Sequence, residues 1–349
     1  MTAAGRELVL VTGASGFVAG HCIGDLLEHG YAVRGTVRDP SATGKVTHLA
    51  ELAERTGGSL EFVGATLESD RGWAEAVAGC TYVLHVASPN PPQAPRNEDE
   101  VVRPAVDGTL RVLRAAAASG SVRRVVLTSS VSAVVEGGDR QDRRVRTEED
   151  WSDPEACAPY PKSKTLAERA AWTFVEDLPD DRRLELTTIN PGLVLGPLQH
   201  PVNTTSTQVI QLLLDRAYPA CPQLGFAPVD VRDVAAAHRL AMTSPKAPGN
   251  RYICAGEHTW MQDMARLLAD EFGPQGYRVP TGKLPNWLLW TVARFDRTAR
   301  LALDLVGREA PVSSEKAMGE LGWHMRPVAE SVLATGRSLV EHGLARTPR

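Results

Sequence analysis

No run of eighteen consecutive apolar residues occurs anywhere in the chain, which argues against a membrane-spanning helix. The opening Met1-Thr2-Ala3-Ala4-Gly5-Arg6 has no apolar core of the kind that marks a secretion signal. A soluble, cytoplasmic protein is expected. Cysteine is sparse: the five present, Cys22, Cys80, Cys157, Cys221 and Cys254, are scattered and odd in number, which suits reduced thiols and not a disulfide frame. None stands with histidine at a metal-site spacing, so no metal is expected. Excess positive charge is also missing. With 38 Lys and Arg against 42 Asp and Glu, the net charge is −4 with signs well mixed, and no basic footprint for nucleic acid or membrane lipid emerges. There are no internal repeats and no low-complexity segments. Small molecules remain as the expected partners of a monomer or homodimer.

What the chain does have is enough apolar residue, 43% of 349, to bury a large core in one big domain or two joined ones. Strand-like runs at Glu7 to Thr12, Ala32 to Val37, Leu60 to Val63, Tyr82 to Val86, Arg124 to Ser129 and Leu184 to Asn190 alternate with helical stretches such as Arg111 to Ala118 and Thr165 to Glu176. Such alternation predicts an α/β fold, a Rossmann-type doubly wound parallel sheet covered on both faces. From Gly196 onward Pro197, Pro201, Pro219, Pro222 and Pro228 break the chain into loops and short helices, which predicts a smaller C-terminal lobe carrying substrate choice. The expected division is 1–196 for the nucleotide domain, with returning segments at about 226–256, and 197–349 mainly for the lobe. Arg251-Tyr252-Ile253-Cys254 reads as a last strand. The charged stretch from Asp139 to Arg146 reads as a solvated loop, and Trp287, Leu288, Leu289, Trp290 and Val292 as core or pocket wall of the lobe.

The first strand runs into Gly13-Ala14-Ser15-Gly16-Phe17-Val18-Ala19-Gly20 and then an amphipathic stretch. A strand, a glycine turn and a helix in that order offer backbone N–H groups and the positive helix end to a pyrophosphate. Gly13 permits the tight turn, Gly16 the close approach of phosphate, and Ala19 is the small residue that lets helix pack on strand. Ser15, Phe17 and Val18 complete the expected phosphate contacts. The second strand ends in Arg38, where an NAD site would place an acid for the ribose 2′-hydroxyl; a cation there, with Lys45 nearby, suits a 2′-phosphate. Asp39 is the competing acid. NADPH is the expected cofactor. Gly13, Ala87, Ser130 and Pro191-Gly192 all follow strands, so they converge on one crevice beyond the carboxyl ends of the sheet.

Tyr160-Pro161-Lys162-Ser163-Lys164 stands thirty positions after Ser130 in Val125-Val126-Leu127-Thr128-Ser129-Ser130. Tyr160 and Lys164, four apart, share a helix face, so the ammonium is placed to lower the phenol's pKa. Tyrosine titrates near 10, and a shift of about three units toward neutrality asks roughly 4 kcal/mol of differential stabilisation of the phenolate. Such a pair is a proton donor for carbonyl chemistry.

Taken together, VTGASGFVAG, TVRDP, HVASP, VVLTSS, YPKSK, NPGLVLGP and VDVRDVA resemble the extended short-chain dehydrogenase/reductases, in the branch of dihydroflavonol reductases, cinnamoyl-CoA reductases and yeast-type methylglyoxal and ketone reductases. The resemblance runs from about Glu7 to about Gly343. It implies catalytic positions for Ser130, Tyr160 and Lys164, with Ser129 the competing serine, and cofactor contacts from Thr66, Leu67, Val86, Ala87, Ser88, Thr128, Pro191, Gly192 and Val194 as well as the glycine turn. The chain departs from the pattern in three places. Thr66-Leu67 replaces the family's Asp-Leu at the adenine. Ala156-Cys157-Ala158-Pro159-Tyr160 replaces the cinnamoyl-CoA reductase signature, which argues against a thioester substrate. Val135 stands where plant dihydroflavonol reductases carry Asn. Ser88, Pro89, Val131, Leu193, Gln199, Thr204 and Phe226, mostly small or apolar, are the expected pocket residues for a modest hydrophobic aldehyde or ketone. His85 reads as a packed histidine near the cofactor, and Asp107 as structural.

The expected reaction is NADPH-dependent reduction of an aldehyde or ketone. An NAD(P)-dependent sugar-nucleotide epimerase or dehydratase and a 3β-hydroxysteroid dehydrogenase are the alternatives on the same scaffold. A non-enzymatic nucleotide sensor would have lost the Ser, Tyr and Lys that are present here.

Overall fold

The computed structural model describes residues 6–89, 97–139, 141–180, 183–202, 204–285, 294 and 306–346. Five apolar segments of the first half become strands: β1 (Leu8–Val11), β2 (Ala32–Val37), β3 (Ser59–Gly64), β4 (Tyr82–His85) and β5 (Arg124–Thr128); β6 (Glu185–Pro191) follows. β10 (Arg251–Cys254) joins them in one seven-stranded sheet of order β10-β6-β5-β4-β1-β2-β3, with every pairing parallel. The strand order reverses between β1 and β4, the point at which such sheets open a crevice for ligands. The fold is Rossmann-type, as the alternation predicts.

Side chains on these strands alternate between two cores. Val9 and Val11 of β1 join one apolar cluster, while Leu10 between them joins the other. On the first face lie α1 (Phe17–Glu28), α2 (Thr47–Thr56) and α7 (Val231–Thr243), contributing Ile23, Leu26, Leu49, Val234 and Ala237. On the second lie α3 (Trp73–Val77), α4 (Asp99–Ser119) and α5 (Pro159–Glu176), with Trp73, Val112, Leu113 and Ala171. A sheet with apolar residues on both pleat faces needs helices on both sides, which explains the unbroken apolar character of its strands.

Helix α4 begins twelve residues ahead of the predicted Arg111, running through Pro104 and Gly108. Gly108 lets the helix pack closely: a Cβ there would come 3.0 Å from the Leu67 Cβ, so Leu67 would have to give way. Helix α5 likewise starts earlier than predicted, at Pro159, a residue whose missing N–H and fixed φ suit the first helical position. Tyr160 therefore sits in the helix's first turn.

The remaining elements are α6 (Thr205–Leu214), α8 (Met261–Phe272), α9 (Glu315–Leu321) and α10 (Val328–Glu341), with two small sheets pairing β7 (Leu193–Leu195) to β9 (Pro228–Asp230) and β8 (Gly225–Phe226) to β11 (Thr259–Trp260). A Cβ on Gly192 would lie 1.8 Å from the Ala227 carbonyl oxygen, so only glycine lets β7 approach the 227–228 strand. The stretch from Asp139 to Arg146 is more than the solvated loop its charge suggests. Asp142, Arg144, Arg146 and Asp150 form an ion-pair cluster, and the Arg146 backbone bonds Pro311 and Ser313. Trp287, Leu288, Leu289, Trp290 and Val292 lie outside the described residues. Among the described residues no helix is long and apolar enough to cross a membrane, and all five cysteines are free thiols.

Candidate active site

The carboxyl ends of β1 to β6 open on one edge of the sheet, and the predicted cofactor residues gather there. After β1 the chain turns through Gly13 at φ +70°, a left-handed conformation that favours glycine. The Gly13 amide donates to Thr36 Oγ1 at 2.9 Å and the Ala14 amide to the Thr36 carbonyl at 2.9 Å, which pins the turn to β2. A Cβ on Gly13 would meet the Ala87 Cβ at 3.1 Å, and one on Gly16 would meet the Gly13 carbonyl at 3.1 Å. Gly16 is the N-cap of α1, no side chain caps it, and no acid occupies the first turn. The helix end thus keeps its donors and its positive pole for an anion. This cradle fits a dinucleotide pyrophosphate, with Ser15, Phe17 and Val18 at its rim.

At the end of β2, Arg38 and Asp39 differ in local bonding. Asp39 Oδ1 accepts from the Ser41 amide at 2.9 Å and the Ser41 hydroxyl at 2.6 Å, which holds its carboxyl below the ordinary range. It caps a turn. Arg38 stays exposed, and Lys45 follows on a short 3-10 turn, Thr43–Lys45, also exposed. After β3 the Thr66 carbonyl accepts from Trp73 Nε1 at 2.9 Å, and the Leu67 carbonyl from Arg111. Each carbonyl thus already accepts a bond from within the protein. After β4, the Ala87 amide donates to Thr12 Oγ1 at 2.9 Å, fixing Val86, Ala87 and Ser88 beside the glycine turn.

Ser129 and Ser130 follow β5, and the structure separates them. Ser129 Oγ donates to the carboxylate of Glu168 at 2.5 Å, inside the protein. The Ser130 hydroxyl accepts from the Ser132 amide at 3.1 Å and lies close enough to the Tyr160 phenol to lower its pKa. Of the two serines, Ser130 is the one beside Tyr160. Tyr160 keeps 41% of its surface exposed, whereas Lys164 one turn on is buried. Lys164 Nζ donates to the Thr128 carbonyl at 3.5 Å; the Thr128 hydroxyl is held at 2.7 Å by His238 Nε2.

Here the structure departs from the simple Tyr–Lys expectation. Desolvation pushes the Tyr160 phenol up from its ordinary value, and the opposing influence is Ser130, not Lys164. Burial also brings Lys164 down to about 8, against the carboxylate of Glu168, which holds it up. The ammonium is aimed at the strand end, so its field does not offset the phenol's loss of water. A phenol that keeps its proton at neutral pH is what a proton donor requires.

Glu168 itself was not singled out by sequence, although it stands four residues beyond Lys164. Its buried carboxylate accepts from Arg251 Nε at 2.7 Å, Asn190 Nδ2 at 2.9 Å, Thr188 Oγ1 at 3.0 Å and Ser129 Oγ. Asn190 Nδ2 also reaches the Ser130 carbonyl at 3.2 Å. One carboxylate thus ties β5, β6 and β10 to α5 directly behind Ser130. Pro191, Gly192 and Val194 line the same edge, Gly192 N donating to the Cys254 carbonyl at 3.1 Å. Two expected pocket residues lie elsewhere or are occupied. The Gln199 side chain packs over α1, where a Cβ on Gly20 would come 2.6 Å from its Oε1. Thr204 caps α6, its hydroxyl accepting from the Thr207 amide at 3.1 Å. Asp107 pairs on the helix surface with Arg103 at 3.9 Å. Val131 packs with Val134, Val135, Ala227, Ala310 and Val312 in an apolar cluster beside Ser130.

Comparison with known proteins agrees with this geometry. Residues 9–255 match the model of the NAD dependent epimerase/dehydratase family. Cinnamoyl-CoA reductase CAD2 of Medicago truncatula is 41% identical over 269 residues, 76% of this chain and 80% of that protein. A bifunctional dihydroflavonol 4-reductase/flavanone 4-reductase of Malus domestica is 35% identical over 284 residues, 79% of this chain and 78% of that protein. Among solved structures, the yeast methylglyoxal/isovaleraldehyde reductase Gre2 complexed with NADPH superposes with a TM-score of 0.77 at 29% identity, covering 96% of this chain and 99% of that one. Vestitone reductase of alfalfa (Medicago sativa) gives 0.74 at 27% identity over 97% and 99%. With a seven-stranded Rossmann sheet, a glycine turn on its first strand and a family match across 9–255, the chain belongs to the NAD dependent epimerase/dehydratase family, the extended short-chain dehydrogenase/reductases.

Proposed function

We propose that the protein is an NADP-dependent oxidoreductase that reduces an aldehyde or ketone to an alcohol, with Tyr160 as proton donor. The observation that carries this reading is the division of labour between the serines: Glu168 takes Ser129, which leaves Ser130 beside the Tyr160 phenol. The cofactor is NADPH. Arg38 and Lys45 receive the 2′-phosphate, the glycine turn receives the pyrophosphate, and Thr66, Leu67, Val86, Ala87, Ser88, Thr128, Pro191, Gly192 and Val194 line the rest of its path. Bound NADPH supplies the hydride.

Ser130 donates to the substrate carbonyl oxygen, and the Tyr160 hydroxyl donates beside it. As the C=O π pair becomes an alkoxide lone pair, these two donors meet the growing charge, and the phenol proton passes to the oxygen. Lys164 holds the ribose end of the site. The apolar wall from Val131 to Val135, with Ala227, suits a hydrophobic carbonyl compound. Residues 1–196 and the returning stretch of about 226–256 serve the cofactor, and the 197–349 lobe serves substrate choice.

The test is to mix purified protein with NADPH or NADH and a panel of aryl ketones, short aldehydes, 1,2-dicarbonyls and a flavanonol, following absorbance of the reduced cofactor. Faster NADPH oxidation with one carbonyl class is the expected result. Absence of oxidation with every class, together with interconversion of a sugar nucleotide without net cofactor use, would replace the reductase reading with an epimerase one.

A further inference from the structure

His85, the last residue of β4, is 1% exposed, and its two nitrogens have different fates. Nδ1 lies 2.9 Å from Thr12 Oγ1, the same oxygen that accepts from the Ala87 amide. Nε2 is buried with no hydrogen-bond partner. A nitrogen left unpaired in the interior costs about 1–3 kcal/mol, so such a group calls for an explanation. In the sheet register His85 faces Leu127, one residue before Thr128, and the carbonyl of Thr128 is where the Lys164 ammonium rests, 3.5 Å away.

We propose that His85 is a positioning residue for Lys164: its open Nε2, unpaired in this structure, is the acceptor the ammonium takes up when it settles between the end of β5 and Tyr160. The inference rests on the reading of Tyr160 and Lys164 as the working pair. An ammonium has three donors, and the Thr128 carbonyl takes one. For Nε2 to offer a lone pair, Nδ1 must carry the proton and donate to Thr12 Oγ1, an oxygen with room for two donors. One ring then fixes both the cofactor-lining turn after β4, through Thr12 and Ala87, and the lysine behind the tyrosine. The ring stays neutral, for burial and the Lys164 charge bring it down to about 3. The groups that face this pair are Thr12 from β1, Tyr160 and Glu168 from α5, the Thr128 carbonyl from β5, and neutral His238 from α7 through the Thr128 hydroxyl.

Two substitutions separate the nitrogens. The amide of His85→Gln reaches the place of Nε2, and that of His85→Asn only the place of Nδ1. In His85→Asn, the alkaline limb of the kcat profile should move about one pH unit lower, since the ammonium loses an acceptor. NADPH affinity, read by fluorescence titration, should fall about 10-fold at pH 9 and stay within about 3-fold at pH 6.5. His85→Gln should restore the wild-type profile. Equal, pH-independent losses in both variants, or unmoved profiles in both, would overturn the proposal. A measurement on the unaltered protein decides the matter even when the variants fold poorly: in ¹⁵N-histidine spectra His85 Nδ1 must be the protonated nitrogen, and a protonated Nε2 refutes the proposal. Because cofactor titration and the ring spectrum need no turnover, they stand when the carbonyl panel gives none; failure of the reductase reading is thereby distinguishable from failure of this one.

Discussion

Replacing Glu168 by Gln keeps the volume of the side chain and removes its charge, which makes it a direct probe of the buried hub. The carboxylate is wholly buried and the guanidinium of Arg251 nearly so, 2.7 Å apart. Stripping one partner from a buried ion pair typically costs about 3–5 kcal/mol, because the other charge is left uncompensated. The new NH₂ faces either Ser129 and Asn190, in the place of one oxygen, or Thr188, in the place of the other, all of them donors to the carboxylate now; one orphaned donor adds about 1–3 kcal/mol. These terms share atoms and do not add, so the expected loss is about 4 kcal/mol, a large part of a stability of about 5–15 kcal/mol. Chemical denaturation of wild type and E168Q, followed by fluorescence, measures it. Pairing E168Q with Arg251→Met should return at least about 1 kcal/mol, because the stranded cation is gone. An E168Q midpoint equivalent to wild type within about 0.5 kcal/mol, or a double variant whose losses simply add, would refute the view of Glu168 as the anion on which four elements depend.

Substituting Tyr160 by Phe should lower NADPH oxidation by about 100-fold to 10,000-fold, the worth of a positioned proton donor, while cofactor affinity changes little; retained turnover would remove Tyr160 from its role. Arg38→Ala should raise the NADPH dissociation constant by about 10-fold or more and leave NADH nearly unaffected, as loss of a charge-assisted bond of about 1.5–3 kcal/mol dictates; equal effects on both cofactors would exclude a 2′-phosphate contact. His85 and His238 are brought by burial to about 3 and about 4 in the folded protein. Both remain neutral when folded and take a proton when unfolded near 6.5, so their contribution is whole above pH 6.5 and shrinks as pH falls toward 4. Between pH 7 and pH 5 they should together cost about 4 kcal/mol, visible in urea midpoints and reduced in His238→Asn. Gly192→Ala should fail to accumulate as folded protein, since its Cβ would sit 1.8 Å from the Ala227 oxygen.

The strands of the main sheet were legible because burial on both faces leaves an apolar run, and Arg251–Cys254 was legible for the same reason despite its distance along the chain. The glycine turn was legible because backbone conformation demands a particular residue there. The first half of α4 was hidden by Pro104 and Gly108, helix breakers by propensity that tertiary packing against Leu67 overrides. The choice of Ser130 over Ser129 came from the family resemblance and not from local pattern, since adjacent identical residues differ only in what touches them. Glu168 was hidden for a related reason: an acid on an otherwise ordinary helix is recognised as buried only when Arg251, 83 residues away, is seen against it. The direction of the Tyr160 shift went the other way because spacing predicts a shared face but not where the lysine's ammonium points.

Arg251 belongs to the strand that enters the sheet last, beside β6. A chain made from its N-terminus holds Glu168 for more than eighty residues of synthesis before its cation exists. Until then the nascent protein has β1 to β6 but carries a carboxylate whose burial has no counter-charge, which disfavours closing α5 onto Ser129 and Ser130. The bonds that shape the glycine turn, to Thr36 and between Thr12 and Ala87, all lie within the chain made by the end of β4. The order of synthesis therefore completes the contacts of the nucleotide turn well before those behind the two serines.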